Sequence, residues 1–433
     1  MKLIIKNGRV IDPANNIDGE QDILIEGGKI KKLAGKGDFL QIEKKIVQKN
    51  VIDATGCIVA PGFLDMHVHF REPGFEYKET IESGCESAAA GGFTTVAMMP
   101  NTNPVNDNRS VTELMTSRAK AHGKVQALAI GAITKGLKGE TLSDMGDLKE
   151  AGVIAFSDDG RPVMSNEVMR RAFEYSRMFD LPLIQHSEIL DLTNGGCMNE
   201  GHVSTELGLK GMPTEAEDIM VYRDIALLEK TGGRLHVAHI SSGEAVELVR
   251  RAKTKGLPVT CEVAPHHFIL TDESVRGYDT NTKMSPPLRA QSDIDAIKEG
   301  LKDGTIDIIA TDHAPHDLAD KQVDYHGACF GIVGLETALP LSLRLVDEKI
   351  LSLPQLIEKL TSRPAEIFKL DLGTLGVGKQ ADVVIFDPNE EYKVEVAKFK
   401  SKSKNSPFDG WPVKGRVRRT IAKGKFIYSS QLV

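Results

Sequence analysis

Asp65-Met66-His67-Val68-His69-Phe70-Arg71-Glu72-Pro73-Gly74 is the stretch from which the rest of the chain can be organised. It comes after the apolar run Cys57-Ile58-Val59-Ala60 and the turn signal Pro61-Gly62, so it reads as the next strand, over 63–70. Residues two apart in a strand share a face, which sets Asp65, His67 and His69 on one side and Leu64, Met66, Val68 and Phe70 on the other. Two imidazoles side by side at a strand end can share a metal ion. Arg71, just beyond, could offer a fixed guanidinium fork to a substrate carboxylate. A bare His-x-His pair is about as often a pair of satisfied or surface histidines. The residues at later strand ends tip the balance towards a site.

Seven further buried-strand candidates stand at 94–99, 125–130, 153–156, 183–186, 235–239, 259–263 and 306–311. Helical stretches such as 79–90, 111–121, 167–179, 217–230 and 245–255 separate them. Eight β/α units predict an α/β fold, a closed parallel (β/α)8 TIM-type barrel over 61–370. A doubly wound open sheet is the alternative, but no Gly-x-Gly-x-x-Gly comes after the first strand. Residues 1–60 read as β structure, with strands at 3–5, 8–12 and 22–25, a turn at Gly27-Gly28-Lys29, and the pattern continuing at 46–47 and 51–53. Residues 371–433 mirror them, with strands at 381–386, 413–417 and 419–422. The two ends together predict one small β-sandwich domain.

Composition sets the bounds. The 433 residues suit a barrel with a small companion, 41% are hydrophobic, and no apolar run is long enough for a membrane span. No secretory leader is expected from the first residues, and the five cysteines lack a CxxC and read as reduced thiols, which places the chain in the cytoplasm as an expectation. A net charge of −7 argues against a nucleic-acid binder, and the basic run Lys398, Lys400, Lys402 and Lys404 reads as a solvated surface.

The chemistry gathers at the predicted C-terminal strand ends, the catalytic face of such barrels. Strand one ends in His67, His69 and Arg71, strand two at Asn101, strand four in Asp158-Asp159, strand five in His186 and strand six in His239. Strand seven runs into His266-His267, and strand eight ends in Thr311-Asp312-His313-Ala314-Pro315-His316. Four histidines and two carboxylates suit a pair of divalent ions, zinc foremost, with an aspartate from Asp158-Asp159 as the negative bridge. Such ions make hydroxide available at neutral pH and polarise a carbonyl, and Asp312 is the candidate to accept and return the proton. His236 reads as structural; His122, His202 and His326 carry no assigned chemistry.

Asp65 to Gly74, Met99-Pro100-Asn101-Thr102, Thr311 to His316 and Ser403-Lys404-Asn405-Ser406-Pro407-Phe408 together resemble the dihydroorotases of the amidohydrolase superfamily, in a bacterial (class I) form, over nearly the whole chain. The resemblance implies interconversion of carbamoyl-aspartate and dihydroorotate in pyrimidine biosynthesis. A bridging hydroxide would attack the ring amide carbonyl, with Asp312 as base and then acid. It places one zinc on His67, His69 and Asp312 and a second on His186 and His239, with one ion rather than two left open. Many relatives bridge with a carboxylated lysine. Here only Asp158-Asp159 stands there, and the spacing to His186 favours Asp159, with Asp158 as the fallback. His69, Arg71, Asn101 and His316 match substrate-binding positions, Phe330 and Gly331 fall where backbone meets the ring, and 317–329 would be a lid or a static loop. Ser285 stands where the family usually has asparagine, a shorter reach with the same donor and acceptor capacity. Another cyclic amidase, of allantoinase or hydantoinase type, is one alternative. A silent or partner-dependent homologue supporting aspartate transcarbamoylase is the other. A homo-oligomer is expected, with no nucleic acid or membrane partner.

Overall fold

The computed structural model describes residues 2–430 apart from Lys36 and Ile46. The strand expected at 46–47 therefore lies partly outside the described residues. The eight barrel strands are Phe63–Val68, Phe93–Met98, Gln126–Ala129, Phe156–Ser157, Leu183–Gln185, Leu235–Val237, Val259–Val263 and Ile308–Ile309. The first three pair in parallel as one sheet and the last five as another. Single parallel bridges, Gly131 to Phe156 and Val68 to His313, join the two sheets into a ring. The barrel is closed, and the open-sheet alternative falls away.

Strands of a parallel sheet are buried on both faces, which is why these read as apolar runs. Leu64, Met66, Ala97, Met99, Ile130, Ala155, Ile184, Ala238 and Ile308 form one cluster with Ala365, Ile367 and Phe368. Phe63, Val68, Phe93, Val96, Phe156, Leu183, Val237 and Val263 belong to a second cluster shared with the surrounding helices, through Ile81, Met115, Phe173 and Val249 among others. The simple alternation expected for 63–70 therefore fails: Leu64 and Met66 lie in the first cluster, whereas Val68 and Phe70 lie in the second. The register slips between Asp65 and Val68. Asp65 causes the break locally, its Oδ1 accepting the His67 N–H at 3.1 Å and the Thr311 N–H at 3.1 Å.

The chain ends supply one eight-stranded sheet, in which Ile58–Pro61 pairs in parallel with Lys2–Asp12 and antiparallel with Val383–Lys393. Leu3, Ile5, Ile23, Ile25, Ile30, Val383, Ile385 and Ile421 share one core, and Lys29 bridges to Gln380 where the two arms meet. The strands expected at 3–5 and 8–12 are one strand, Lys2–Asp12, irregular between Ile5 and Gly8. Leu40–Glu43 is a helical turn inside the region read as β. Gly62 joins this sheet to the first barrel strand, and a Cβ there would sit 2.3 Å from the Thr94 side chain.

Residues 399–405 return to the barrel. The half-buried Glu336 receives them, its Oε1 accepting from Ser87 Oγ at 2.8 Å and from the Lys400 and Ser401 N–H groups at 2.7 and 3.1 Å. Burial pushes its carboxyl up from the ordinary 4.5 to about 7 against those bonds. An acid raised in the folded state contributes most below its unfolded pKa, and that contribution is lost as pH rises towards 7. Glu336→Gln, which keeps the accepting oxygen, should match the parent's melting midpoint near pH 4.5. By pH 8 it should be the more stable by on the order of 1–3 kcal/mol. Melting curves across that range test this; a difference that does not grow with pH would refute it.

Candidate metal centre and active site

Asn101, Asp159, His186, His239 and Asp312 each lie a few residues beyond the end of a barrel strand, so their side chains converge at one mouth. They border a cavity of about 760 Å³ together with His69, Arg71, Ser285, His316, Phe330 and Gly331. His67 lies beneath it, wholly buried. Three of these residues, Arg71, His239 and Asp312, have positive φ (61°, 28° and 48°). Each such backbone costs on the order of 1–3 kcal/mol, and such strain concentrates at functional sites.

Asp159 is the centre of the donor set. Its Oδ1 lies 3.5 Å from His67 Nε2, 3.3 Å from His239 Nε2 and 3.7 Å from His186 Nδ1, and its Oδ2 lies 3.3 Å from His69 Nε2. Asp312 Oδ1 approaches His69 Nε2 at 3.2 Å and His67 Nε2 at 3.5 Å, and His186 Nδ1 is 2.9 Å from His239 Nε2. Burial opposes ionisation of both aspartates, but the surrounding imidazoles hold their carboxyls below the usual range. Asp158 faces elsewhere: it accepts from the N–H groups of Ile133 and Thr134 at 2.7 and 3.0 Å and from the Thr134 hydroxyl.

The residues fit a divalent cation. His67 Nε2 is buried without a hydrogen-bond partner and looks onto both aspartates. His67, His69 and Asp312 form one compact group of donor atoms, and His67, Asp159 and His239 form another. A third group, His316, Asp320 and Cys329, differs in kind. The Lys78 ammonium already lies there, 3.2 Å from His316 Nδ1 and 3.0 Å from Asp320.

The opposite wall is cationic. Arg71 donates from Nε to the Pro315 carbonyl at 3.2 Å, and its Nη2 lies 3.4 Å from His316 Nε2. Because Nδ1 of His316 meets the Lys78 ammonium, its proton resides on Nε2, which donates to the Phe330 carbonyl at 2.7 Å. Burial, with Arg71 and Lys78 close by, lowers the His316 pKa to about 2, so the ring is neutral and Arg71 carries the charge. Asn101 Oδ1 accepts from His69 Nδ1 at 2.9 Å, leaving the amide nitrogen free to donate. Ser285 Oγ lies 3.5 Å from Glu188. Gly331, at φ 115°, passes so close to Ala314 that a Cβ would stand 2.6 Å from its side chain. The segment 317–329 contains the helical turn Leu318–Lys321, and Lys321 fastens it by donating to the carbonyls of Thr280, Lys283 and Cys329.

The strand-end pattern overcounts histidines. His266 and His267 belong to the helical turn His266–Ile269, and His267 Nε2 meets the Pro286 carbonyl rather than the donor set. His313 is braced by Glu79 and the Gly334 N–H. The pattern also passes over Glu188, 2.8 Å from His186 Nε2, as well as Glu262 and Lys78. Glu262 left a signal, a charge within a buried strand, since such a group is rarely buried unpaired. Asn405, in the motif noted near the C-terminus, holds the His316 backbone N–H at 3.0 Å and donates to the Ala314 and Gly331 carbonyls.

Comparisons with known proteins agree with this geometry. Residues 56–245 match the family model described as dihydro-orotase-like, and residues 276–428 match an amidohydrolase family model. A dihydroorotase of Geobacter metallireducens is 54% identical over 99% of this chain and 100% of its own length. One from Geotalea daltonii is 55% identical over 99% of both. Among solved structures, an L-hydantoinase (dihydropyrimidinase) from Arthrobacter aurescens superposes with a TM-score of 0.88 at 28% identity, covering 100% of this chain and 97% of that one. A D-hydantoinase at 24% identity, TM-score 0.84, shares the fold, covering 100% of this chain and 96% of its own. Full-length identity above half, together with the barrel and its histidine-aspartate mouth, makes this chain a member of the dihydroorotase family within the amidohydrolase superfamily.

Proposed function

We propose that the chain interconverts L-dihydroorotate and N-carbamoyl-L-aspartate with two zinc ions at the barrel mouth. His67, His69 and Asp312 would hold one ion, His186 and His239 the other, and Asp159 would bridge them. The single observation that carries the reading is a donor set of four imidazoles and two carboxylates opening onto the same cavity as Arg71. When bound, such ions supply an ionisable water and polarise an amide carbonyl. Arg71 pairs with the substrate carboxylate and Asn101 adds a donor that fixes its orientation, while the neutral His316, its one N–H on the Phe330 carbonyl, forms the wall beside Arg71. Asp312 accepts a proton from the attacking water and passes it to the ring nitrogen as the C–N bond of the ring amide breaks. Cyclisation runs the same transfers backwards and releases water. Ser285, already beside Glu188, reaches the ring through a water.

Turnover of dihydroorotate by the zinc-loaded protein, with hydantoin and allantoin as controls, tests the reading. Hydantoin or allantoin as the preferred substrate would replace it with another cyclic amidase. No turnover at all, restored on adding aspartate transcarbamoylase, would make that enzyme an obligatory partner. The same reading expects a homo-oligomer in the cytoplasm. Among the described residues no helix is long and apolar enough to cross a membrane.

Arg71→Met isolates the carboxylate contact. Loss of one charge-assisted pair is worth roughly 1.5–3 kcal/mol, so kcat/KM for dihydroorotate should fall about 10- to 150-fold, mainly through KM. Steady-state kinetics at subsaturating substrate decide it, and an unchanged KM would remove Arg71 from recognition.

A further inference from the structure

Glu262 is 1% exposed in the seventh barrel strand, Val259–Val263. Its two oxygens serve different histidines. Oε1 lies 2.5 Å from His67 Nδ1, and Oε2 lies 3.1 Å from His236 Nε2. His236 is pinned in turn, with Nδ1 2.8 Å from Thr260 Oγ1, on the same strand as Glu262. A carboxylate only accepts, so both rings direct N–H groups at it. For His67 this leaves Nε2 as the lone-pair nitrogen, the atom that looks onto Asp159 and Asp312 at 3.5 Å.

We infer that Glu262 is a positioning residue of the metal centre, fixing His67 as an Nε2 ligand, with His236 and Thr260 as the strut that holds Glu262 in place. The inference rests on the proposed zinc occupancy of the barrel mouth. Partners of this kind, which orient a ligating histidine and raise its basicity, commonly change metal affinity 10- to 100-fold when removed. A brace of the barrel wall would produce the same contacts, so the test must separate affinity from folding.

Glu262→Gln does so. The amide has nearly the same shape but offers one acceptor and one donor in place of two acceptors. It cannot take N–H groups from both rings, and if His67 moves its proton to Nε2 that nitrogen ceases to be a ligand. Zinc affinity and stoichiometry of the full-length protein, measured by competition with a chromogenic chelator, should drop about 10- to 100-fold at one site. The metal-free variant should still melt cooperatively, at a lower midpoint because one buried ring N–H loses its acceptor, so the zinc affinity is read on folded protein. Glu262→Asp, which keeps the charge but shortens the reach, should fall between them, and it decides the matter if the glutamine variant does not fold. Parent-like zinc affinity in a folded variant would overturn the inference and leave Glu262 a wall brace. A parent that takes up no zinc would overturn the metal reading itself, a different result from the same titration.

Discussion

Asp312→Ala should abolish dihydroorotate turnover, lowering kcat/KM on the order of 10³-fold or more while the barrel stays folded. General acid–base catalysis alone contributes about 10²- to 10⁴-fold, and on the proposed reading this variant also removes an oxygen from the metal's donor set. Asp312 sits just beyond the eighth strand at φ 48°, with Oδ1 3.2 Å from His69 Nε2 and 3.5 Å from His67 Nε2. That position lets one carboxylate serve both jobs, and Asp312→Asn separates them. Asparagine retains an oxygen of similar reach but cannot take a proton. The asparagine variant should therefore recover much of the zinc lost in the alanine variant and almost none of the turnover. Zinc content and single-turnover rates, measured on the same preparations, check both halves. A well-loaded asparagine variant retaining a tenth of parental activity would take Asp312 out of the proton transfer.

The barrel is legible in the sequence because its signals are local and repeated. All but the third strand are apolar runs leading into a polar, chemistry-bearing residue, and all eight expected positions overlap a strand in the structure, the fourth at Phe156 alone. Several ladders are shorter than those runs: 306–311 yields only Ile308–Ile309, because Thr311 turns aside to donate to Asp65 and Asp312 bends into the site. The facing of 63–70 departs from expectation for a related reason. Strict alternation assumes an unbroken pleat, whereas Asp65 spends its carboxylate on the His67 and Thr311 N–H groups and shifts the register. Ring closure through Val68–His313 and Gly131–Phe156 has no local signature at all.

The site divides in the same way. Histidines and aspartates carried on strand-end motifs can be found in the sequence, whereas the groups that orient them leave weaker traces: Glu262 shows only as a charge in a buried strand, and nothing local names its partner. Glu262 reaches His67 from far along the chain, and Lys78 meets His316 from the loop after strand one. His266 and His267 are the excess: both belong to the helical turn His266–Ile269, and His267 Nε2 meets the Pro286 carbonyl.

If two zinc ions are bound as proposed, Asp159→Asn should cost the protein one of them and lower kcat/KM by on the order of 10²- to 10⁴-fold, whereas Asp158→Asn should cost stability and leave zinc affinity intact. The two neighbours differ in what they touch. Asp159 has an oxygen within 3.7 Å of all four site histidines, while the oxygens of Asp158 are taken up by Ile133 and Thr134. Neutral imidazoles bring no charge to a pair of divalent cations. Asp159 and Asp312 are thus the anions of the donor set, and Asp159 alone borders both histidine pairs. On the proposed two-ion reading, neutralising Asp159 would remove the one anion that borders both histidine pairs, and His186 and His239, which Asp312 does not approach, would hold their ion less tightly. Asp158→Asn instead turns an amide N–H towards groups that already donate, a mismatch worth about 1–3 kcal/mol. Chelator competition and thermal melting on both variants distinguish the roles. Two zinc ions held at parental affinity by Asp159→Asn, or zinc lost from Asp158→Asn instead, would reverse the assignment. The bridge would then have to come from a carboxylate outside this pair.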